Sequence, residues 1–280
     1  MGVGKSDRRR SVREGAEEAA GTVAVAGPAP RALSSDVTIS GYTRARFPAP
    51  ECALSQLFDA YDANYRAVVQ SSIGFSGLPH DFFMQAKADL LGAVMRERLG
   101  VAHAPRLLDI GCGVGTLHPY LAGLFDEIHG VDVSAPCVAE ARQRCPNNAY
   151  AVGAPGAPLE GSGYDVTLAV CTLHHVPPAE WKAFVADMTR VTRPGGLVCV
   201  IEHNPLNPLT RLAVFRCPFD EDAVLLRAGR TEALLREAGG KDVSTRFFLL
   251  LPTRMRLARR LERLLAGAPL GAQYLACARA

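Results

Sequence analysis

Residues 106–116, Arg-Leu-Leu-Asp-Ile-Gly-Cys-Gly-Val-Gly-Thr, constrain this chain more than any other stretch. An apolar run meets Asp109, and glycines follow at alternate positions, Gly111, Gly113 and Gly115. A buried strand that empties into such a loop brings bare backbone against a bound ligand, because glycine has no side chain to hold it away. A second apolar run, residues 128–131, ends on Asp132. That is roughly twenty residues past the loop, where a carboxylate accepting from ribose hydroxyls is expected. Together they imply a cofactor that contains a nucleoside.

The rest of the chain alternates strand and helix signals. Residues 107–110, 128–131, 150–152, 166–170 and 197–201 are short aliphatic runs of the kind buried on both faces of a sheet. Helices are expected near 116–125, 135–144 and 179–192, and Pro194-Gly195-Gly196 should stop the last of them and turn the chain into the fifth strand. An irregular excursion over about 204–226 precedes a helix near 231–238, a strand near 243–250, a basic helix near 254–265 and a strand near 272–278. Repeated βα units of this kind predict an α/β fold, a three-layer α/β/α sandwich around a Rossmann-like, seven-stranded, mostly parallel sheet with an antiparallel last strand. Residues 1–48, rich in Ala, Gly, Arg, Pro and Ser, are expected to form a disordered tail. Residues 49–104 are expected to form a helical lid, and 105–280 the cofactor domain.

Composition narrows the function classes. A net charge of +3 is too weak an electrostatic footprint for nucleic acid. The 8 cysteines are scattered singly, with no C-x-x-C pair, so no metal site is expected and a reducing, cytoplasmic setting is. The basic helix carries Leu257, Leu261, Leu264 and Leu265 on one face and arginines around the rest. It is expected to cover the sheet with a solvated basic face; resting on an anionic membrane is the alternative.

The glycine spacing is G-x-G-x-G, whereas nicotinamide folds usually carry G-x-G-x-x-G. With Asp109 ahead of the glycines, it resembles motif I of class I S-adenosylmethionine (SAM)-dependent methyltransferases. The resemblance continues through Asp132, Tyr164-Asp165, Leu173-His174-His175 and Arg193-Pro-Gly-Gly196, and so covers about residues 105–203. It implies SAM as cofactor and a small organic methyl acceptor, with oxygen preferred as the accepting atom. A non-catalytic SAM-binding partner protein and an NAD-dependent oxidoreductase are the alternatives.

By this resemblance the backbone of Gly111, Cys112, Gly113 and Gly115 would lie against the cofactor, and Asp109 would help position its methionine ammonium. Asp132 would hold both ribose hydroxyls, Val133 would lie on the adenine face, and Val170 and Cys171 would line the methionine arm. Where the family often has Gly-Asp after strand three, this chain has Gly153-Ala154, and Glu160 is the one nearby carboxylate that could substitute. His174 or His175, just beyond strand four, would manage the acceptor's proton, and Glu202-His203 at the end of strand five could face the same cleft. Adjacent residues in extended chain point to opposite sides, so one histidine of each pair is expected to reach the substrate. Tyr61, Tyr65, Phe82 and Phe219 are candidates for the acceptor pocket.

Overall fold

Aliphatic runs without polar alternation, joined by helices, pair in parallel and are covered on both faces. The chain does this with β1 (Arg106–Ile110), β2 (Glu127–Asp132), β3 (Ala149–Val152), β4 (Tyr164–Val170) and β5 (Thr192–His203). With β6 (Lys241–Phe248) and β7 (Gln273–Arg279) they form one seven-stranded sheet in the order β3-β2-β1-β4-β5-β7-β6. The first five strands run parallel, and β7 runs antiparallel to both β5 and β6. This computed structural model describes residues 65–100, 105–250 and 264–280.

The helices are α1 (Tyr65–Ser72), α2 (His80–Arg98), α3 (His118–Leu121), α4 (Ala135–Arg144), α5 (Trp181–Val191), α6 (Pro208–Phe215) and α7 (Ala228–Glu237). Alternate strand residues serve opposite layers. Leu107, Leu168, Leu197 and Ile201 pack against Met84, Leu91 and Met95 of α2. Their neighbours Leu108, Ala169, Val198 and Val200 pack against Val185 and Met188 of α5 and Leu234 of α7. Period-two side chains with both faces apolar explain why the runs show no polar alternation. Strand order reverses at β1, so the crevice above the carboxyl ends of β1 and β4 is the place for a ligand.

Three expectations are corrected here. First, β5 starts at Thr192, so Pro194-Gly195-Gly196 lies inside the strand, where a register shift between Tyr164 and Val166 absorbs it. Arg193 Nε donates to Asp165 Oδ1 at 2.6 Å, and Asp165 Oδ2 accepts from the Arg106 amide at 2.8 Å. Two of the resembling motifs therefore stitch the amino-terminal edge of the sheet, opposite the crevice. Second, the excursion after β5 is not irregular throughout. Asn207 caps α6 by accepting from the amides of Leu209 and Thr210, with Pro208 in the first turn. Third, α3 is only four residues long, against the expected span of 116–125.

Gly130 sits mid-strand in β2, where an added Cβ would lie 2.7 Å from the Tyr150 ring and 2.8 Å from Cys112 Sγ. Gly130→Ala is expected to cost about 1–3 kcal/mol by overpacking. A lower urea midpoint at unchanged slope would show it.

The expected tail at 1–48, Tyr61, the first residues of the expected lid and most of the basic helix lie outside the described residues. Among the described residues no helix is long and apolar enough to cross a membrane.

Candidate active site

The loop after β1 turns three times through left-handed backbone, at Gly111 (φ +73°), Gly113 (φ +52°) and Gly115 (φ +68°). A Cβ on Gly111 would fall on the Thr172 side chain, whereas one on Gly113 would enter open space. Gly111 thus lets the loop close on the β4 turn, and Gly113 leaves bare backbone at the crevice. Gly115 behaves differently. It faces Ala141 and Tyr150, at 3.3 and 3.2 Å from a notional Cβ, so it serves packing against α4 instead of the crevice.

Two carboxylates flank the loop. Asp132 Oδ2 accepts from the Gly113 amide at 2.7 Å and Oδ1 from the Ser134 amide at 2.9 Å. Burial pushes the Asp132 carboxyl up, and those amides pull against it. Asp109 Oδ2 lies 3.0 Å from His118 Nε2, whose Nδ1 lies 2.6 Å from the Tyr150 hydroxyl. Asp109 Oδ1 is buried with no hydrogen-bond partner among the described residues. An orphaned carboxylate oxygen in a crevice marks where a donor from a ligand belongs.

The crevice continues from the loop past Val170 and Cys171 to His174, His175 and His203. Cys171 adopts a left-handed backbone (φ 52°), held by its amide donating to the Ile201 carbonyl at 2.8 Å. Such conformations in residues other than glycine concentrate at functional sites. The two histidines that follow are not extended, as expected, but lie in a 3-10 turn, Leu173–His175. Trp181 Nε1 clamps this turn by donating to the Leu173 and Val176 carbonyls at 3.0 and 2.9 Å. Consequently both rings reach the crevice, with centroids 4.1 Å apart.

Their electrostatics differ sharply. Glu202, at 0% exposure, does not line the crevice; it holds His174, with Oε2 2.5 Å from Nδ1 and Oε1 accepting from the His174 amide at 3.3 Å. His174 Nε2 lies 3.3 Å from Asp220 Oδ1. Burial alone would push His174 down, but Glu202 and Asp220 outweigh it and raise it well above its ordinary value. Burial and the charge on His174 push His175 down to about 4, and His203 likewise to about 4. The result is one imidazolium locked between two carboxylates, beside two neutral imidazoles. His174, His175 and Asp220 also bring possible ligand atoms within 4.8 Å of one another. Both ring nitrogens of His174 are already engaged by carboxylates, so the cluster is self-satisfied without an ion.

Comparison with known proteins fits this geometry. The family described as Methyltransferase domain matches residues 108–200. An uncharacterised methyltransferase of Synechocystis is 30% identical over 148 residues, which span 51% of this chain and 70% of that protein. The chain belongs to the class I SAM-dependent methyltransferases. A demethylmenaquinone methyltransferase of Beutenbergia cavernae is 35% identical over 107 residues, 38% of this methyltransferase and 44% of that one. The match therefore spans under half of that relative. Among solved structures, a Thermotoga maritima SAM-dependent methyltransferase described as a possible histamine N-methyltransferase superposes with a TM-score of 0.58. Its identity is 17%, with 81% of this chain and 99% of that one covered, which shows the fold alone. A Haemonchus contortus phosphoethanolamine N-methyltransferase in complex with SAM gives a TM-score of 0.54 at 18% identity, over 83% of this chain and 61% of that one.

The cofactor of this methyltransferase is SAM, and the residues present suit it. The orphaned Asp109 oxygen offers an acceptor for an ammonium, and Gly113 offers a cradle that a Cβ would fill. Asp109, Gly111, Cys112, Gly113, Asp132, Val170 and Cys171 all line the crevice; Val133 does not. Glu160 opens onto a separate small cavity beside His129 and Tyr164, so it does not replace the carboxylate absent at Ala154. Phe82 packs into the core layer under α2, and its neighbour Phe83 lines the crevice in its place. Phe219 does line it, and Tyr65 opens α1 with its side chain outside the described residues. Asp220, in the 215–222 segment whose three acids could contact a polar substrate or cap the next helix, lines it too, whereas sequence reasoning missed Lys87 and Gln273, which come from segments with no motif.

Proposed function

We propose that this methyltransferase transfers the methyl group to an oxygen of a small, largely apolar organic acceptor, with His175 receiving the hydroxyl proton. Bound in the crevice, SAM supplies an electrophilic methyl on a sulfonium. The chain's own task is to hold the acceptor in line with that methyl and to accept its proton. The place of His175 carries the reading: its ring lines the crevice just beyond β4, and burial with the charge on His174 pushes it down to about 4, so it is neutral before the transfer. Asp220, whose Oδ1 lies 3.5 Å from His175 Nε2, stands ready to stabilise the imidazolium that forms. His174 is already bound by two carboxylates, and so is a positioning group.

Val69, Ile73, Phe83, Ala213, Val214 and Phe219 supply an apolar wall next to this cluster. That wall supports an aromatic or lipid-linked acceptor, and the relatives named for demethylmenaquinone methylation and ubiquinone-biosynthesis O-methylation point the same way. Under this reading the wall includes α1, α2 and the α6 segment, so the described part of the expected lid covers the site and 204–226 serves as an acceptor-side insertion.

The test is label transfer from methyl-labelled SAM to a panel of phenols, hydroquinones and matched amines. Phenolic or quinol products are expected, with His175→Ala lowering turnover about 100-fold while leaving cofactor affinity unchanged. Turnover within threefold of wild type, or products from amines alone, would refute the oxygen assignment. Failure of any acceptor to be methylated by SAM-loaded protein would favour the non-catalytic alternative.

A further inference from the structure

Lys87 occupies a position where an apolar residue is expected. The stripe of α2 that faces the sheet runs through Met84, Ala88, Leu91 and Met95, all buried in the core. One turn toward the amino terminus, the same side of the helix opens onto the crevice through His80, Phe83, Met84 and Lys87, spaced i, i+3, i+4, i+7. Lys87 is only 6% exposed, yet it makes no hydrogen bond or ion pair with any described residue. Its aliphatic stem is packed away and, with no counter-charge among the described residues, its ammonium is left for an anion that a ligand brings into the crevice.

The other acids of the crevice are committed elsewhere. Asp220 holds His174, Asp132 holds the amides of Gly113 and Ser134, and Asp109 Oδ2 holds His118. Lys87 lines the crevice together with Cys171, just beyond β4, and His203, the last residue of β5. In that corner Gln273 Nε2 lies 3.5 Å from Cys171 Sγ and 3.3 Å from His203 Nδ1. Its Oε1 is buried and unpartnered, so the corner holds a second polar group with capacity to spare.

We propose that Lys87 is the carboxylate-binding group of this crevice. The inference rests on the SAM reading above and deepens it. Two carboxylates could reach Lys87: that of the cofactor's methionine arm and one carried by the acceptor. With the first, the orphaned Asp109 oxygen and Lys87 would together complement an α-amino acid, one taking the ammonium and the other the carboxylate. With the second, Lys87 would select acidic acceptors and hold them against His175 and His203.

Calorimetry on the full chain separates these cases. The probes are S-adenosylhomocysteine, 5′-methylthioadenosine (which lacks the amino-acid end) and 4-hydroxybenzoate added to the S-adenosylhomocysteine complex. Lys87→Met keeps the apolar stem and removes only the charge. If the cofactor supplies the carboxylate, K87M weakens S-adenosylhomocysteine by about 10- to 100-fold and leaves methylthioadenosine unchanged. If the acceptor supplies it, K87M leaves both nucleosides unchanged and abolishes 4-hydroxybenzoate binding. Lys87→Arg should recover most of the affinity in either case. Equal weakening of both nucleosides would mean a structural role, and no change in any probe would mean an idle charge; either result overturns the proposal. A wild-type protein that binds neither nucleoside would overturn the cofactor reading itself, and this proposal with it.

Discussion

Asp132→Ala is expected to weaken S-adenosylhomocysteine binding by about 100-fold or more, as measured by calorimetry. Two charge-assisted hydrogen bonds to ribose hydroxyls, at about 1.5–3 kcal/mol each, account for that magnitude. The carboxylate also organises the protein side of the site. It accepts from Gly113 at 2.7 Å and from Ser134 at 2.9 Å, so it ties the glycine loop to the start of α4. Removing it releases the loop backbone that should face the cofactor. Asp132→Asn keeps the shape but turns an NH2 toward one of those amides, and should fall between wild type and alanine. Because burial pushes the Asp132 carboxyl up, affinity should also drop as the solution is acidified toward that raised value. Binding of the alanine variant within threefold of wild type would show that this carboxylate is not the ribose anchor.

Glu202→Leu is expected to cost about 3–5 kcal/mol of stability and to alter its pH dependence. The carboxylate is at 0% exposure and 2.5 Å from His174, so its removal strands a buried imidazolium. The groups that face His174 are Glu202 from β5, Asp220 from the segment after α6, His175 beside it, His203 and Cys171. His174 is raised, so its contribution is complete below its ordinary 6.5 and is lost as pH climbs through the higher folded value. Burial opposes the ionised forms of Glu202 and Asp220, but His174 outweighs it and lowers both carboxyls. Their contribution is therefore present above the ordinary 4.5 and 3.8 and is lost as pH falls through the depressed values. His175 and His203, buried at about 4, act the other way. The unfolded chain takes up their protons from 6.5 downward, so stability falls between 6.5 and about 4. Urea midpoints across pH 5–9 should show wild type losing its margin over the variant on the alkaline side. A constant difference throughout would mean that His174 is not held as an imidazolium.

The glycine loop and the carboxylate bonded to it were legible because the demands on them are backbone demands. Gly111 and Gly113 are needed for the φ values they adopt and the space they leave, and Asp132 is bound to the loop it was paired with by spacing. Such demands fall on contiguous residues, so they survive as a motif. The histidine pair was legible as a location but not as a geometry. Nothing local revealed that Trp181 would clamp a 3-10 turn and turn both rings into the crevice. Glu202 was placed in the crevice by adjacency to His203, whereas burial at the β5–β7 contact turned it inward beneath His174. The motif residues Asp165 and Arg193 carried the resemblance to the family, and they bond each other at the far edge of the sheet, away from the crevice.

From its sequence alone this chain determined a doubly covered parallel sheet, a glycine loop at the mouth of β1 and the acid that hydrogen-bonds to it, because each depends on residues close in sequence or on apolar period. Tertiary structure alone decided which histidine stays charged, that Asp220 joins the cluster from 46 residues away, and that Lys87 lines the crevice beside Cys171 with no counter-charge among the described residues. Burial and counter-charge set those properties, and both are sums over neighbours that folding brings together from α2, β4, β5, β7 and the loop after α6.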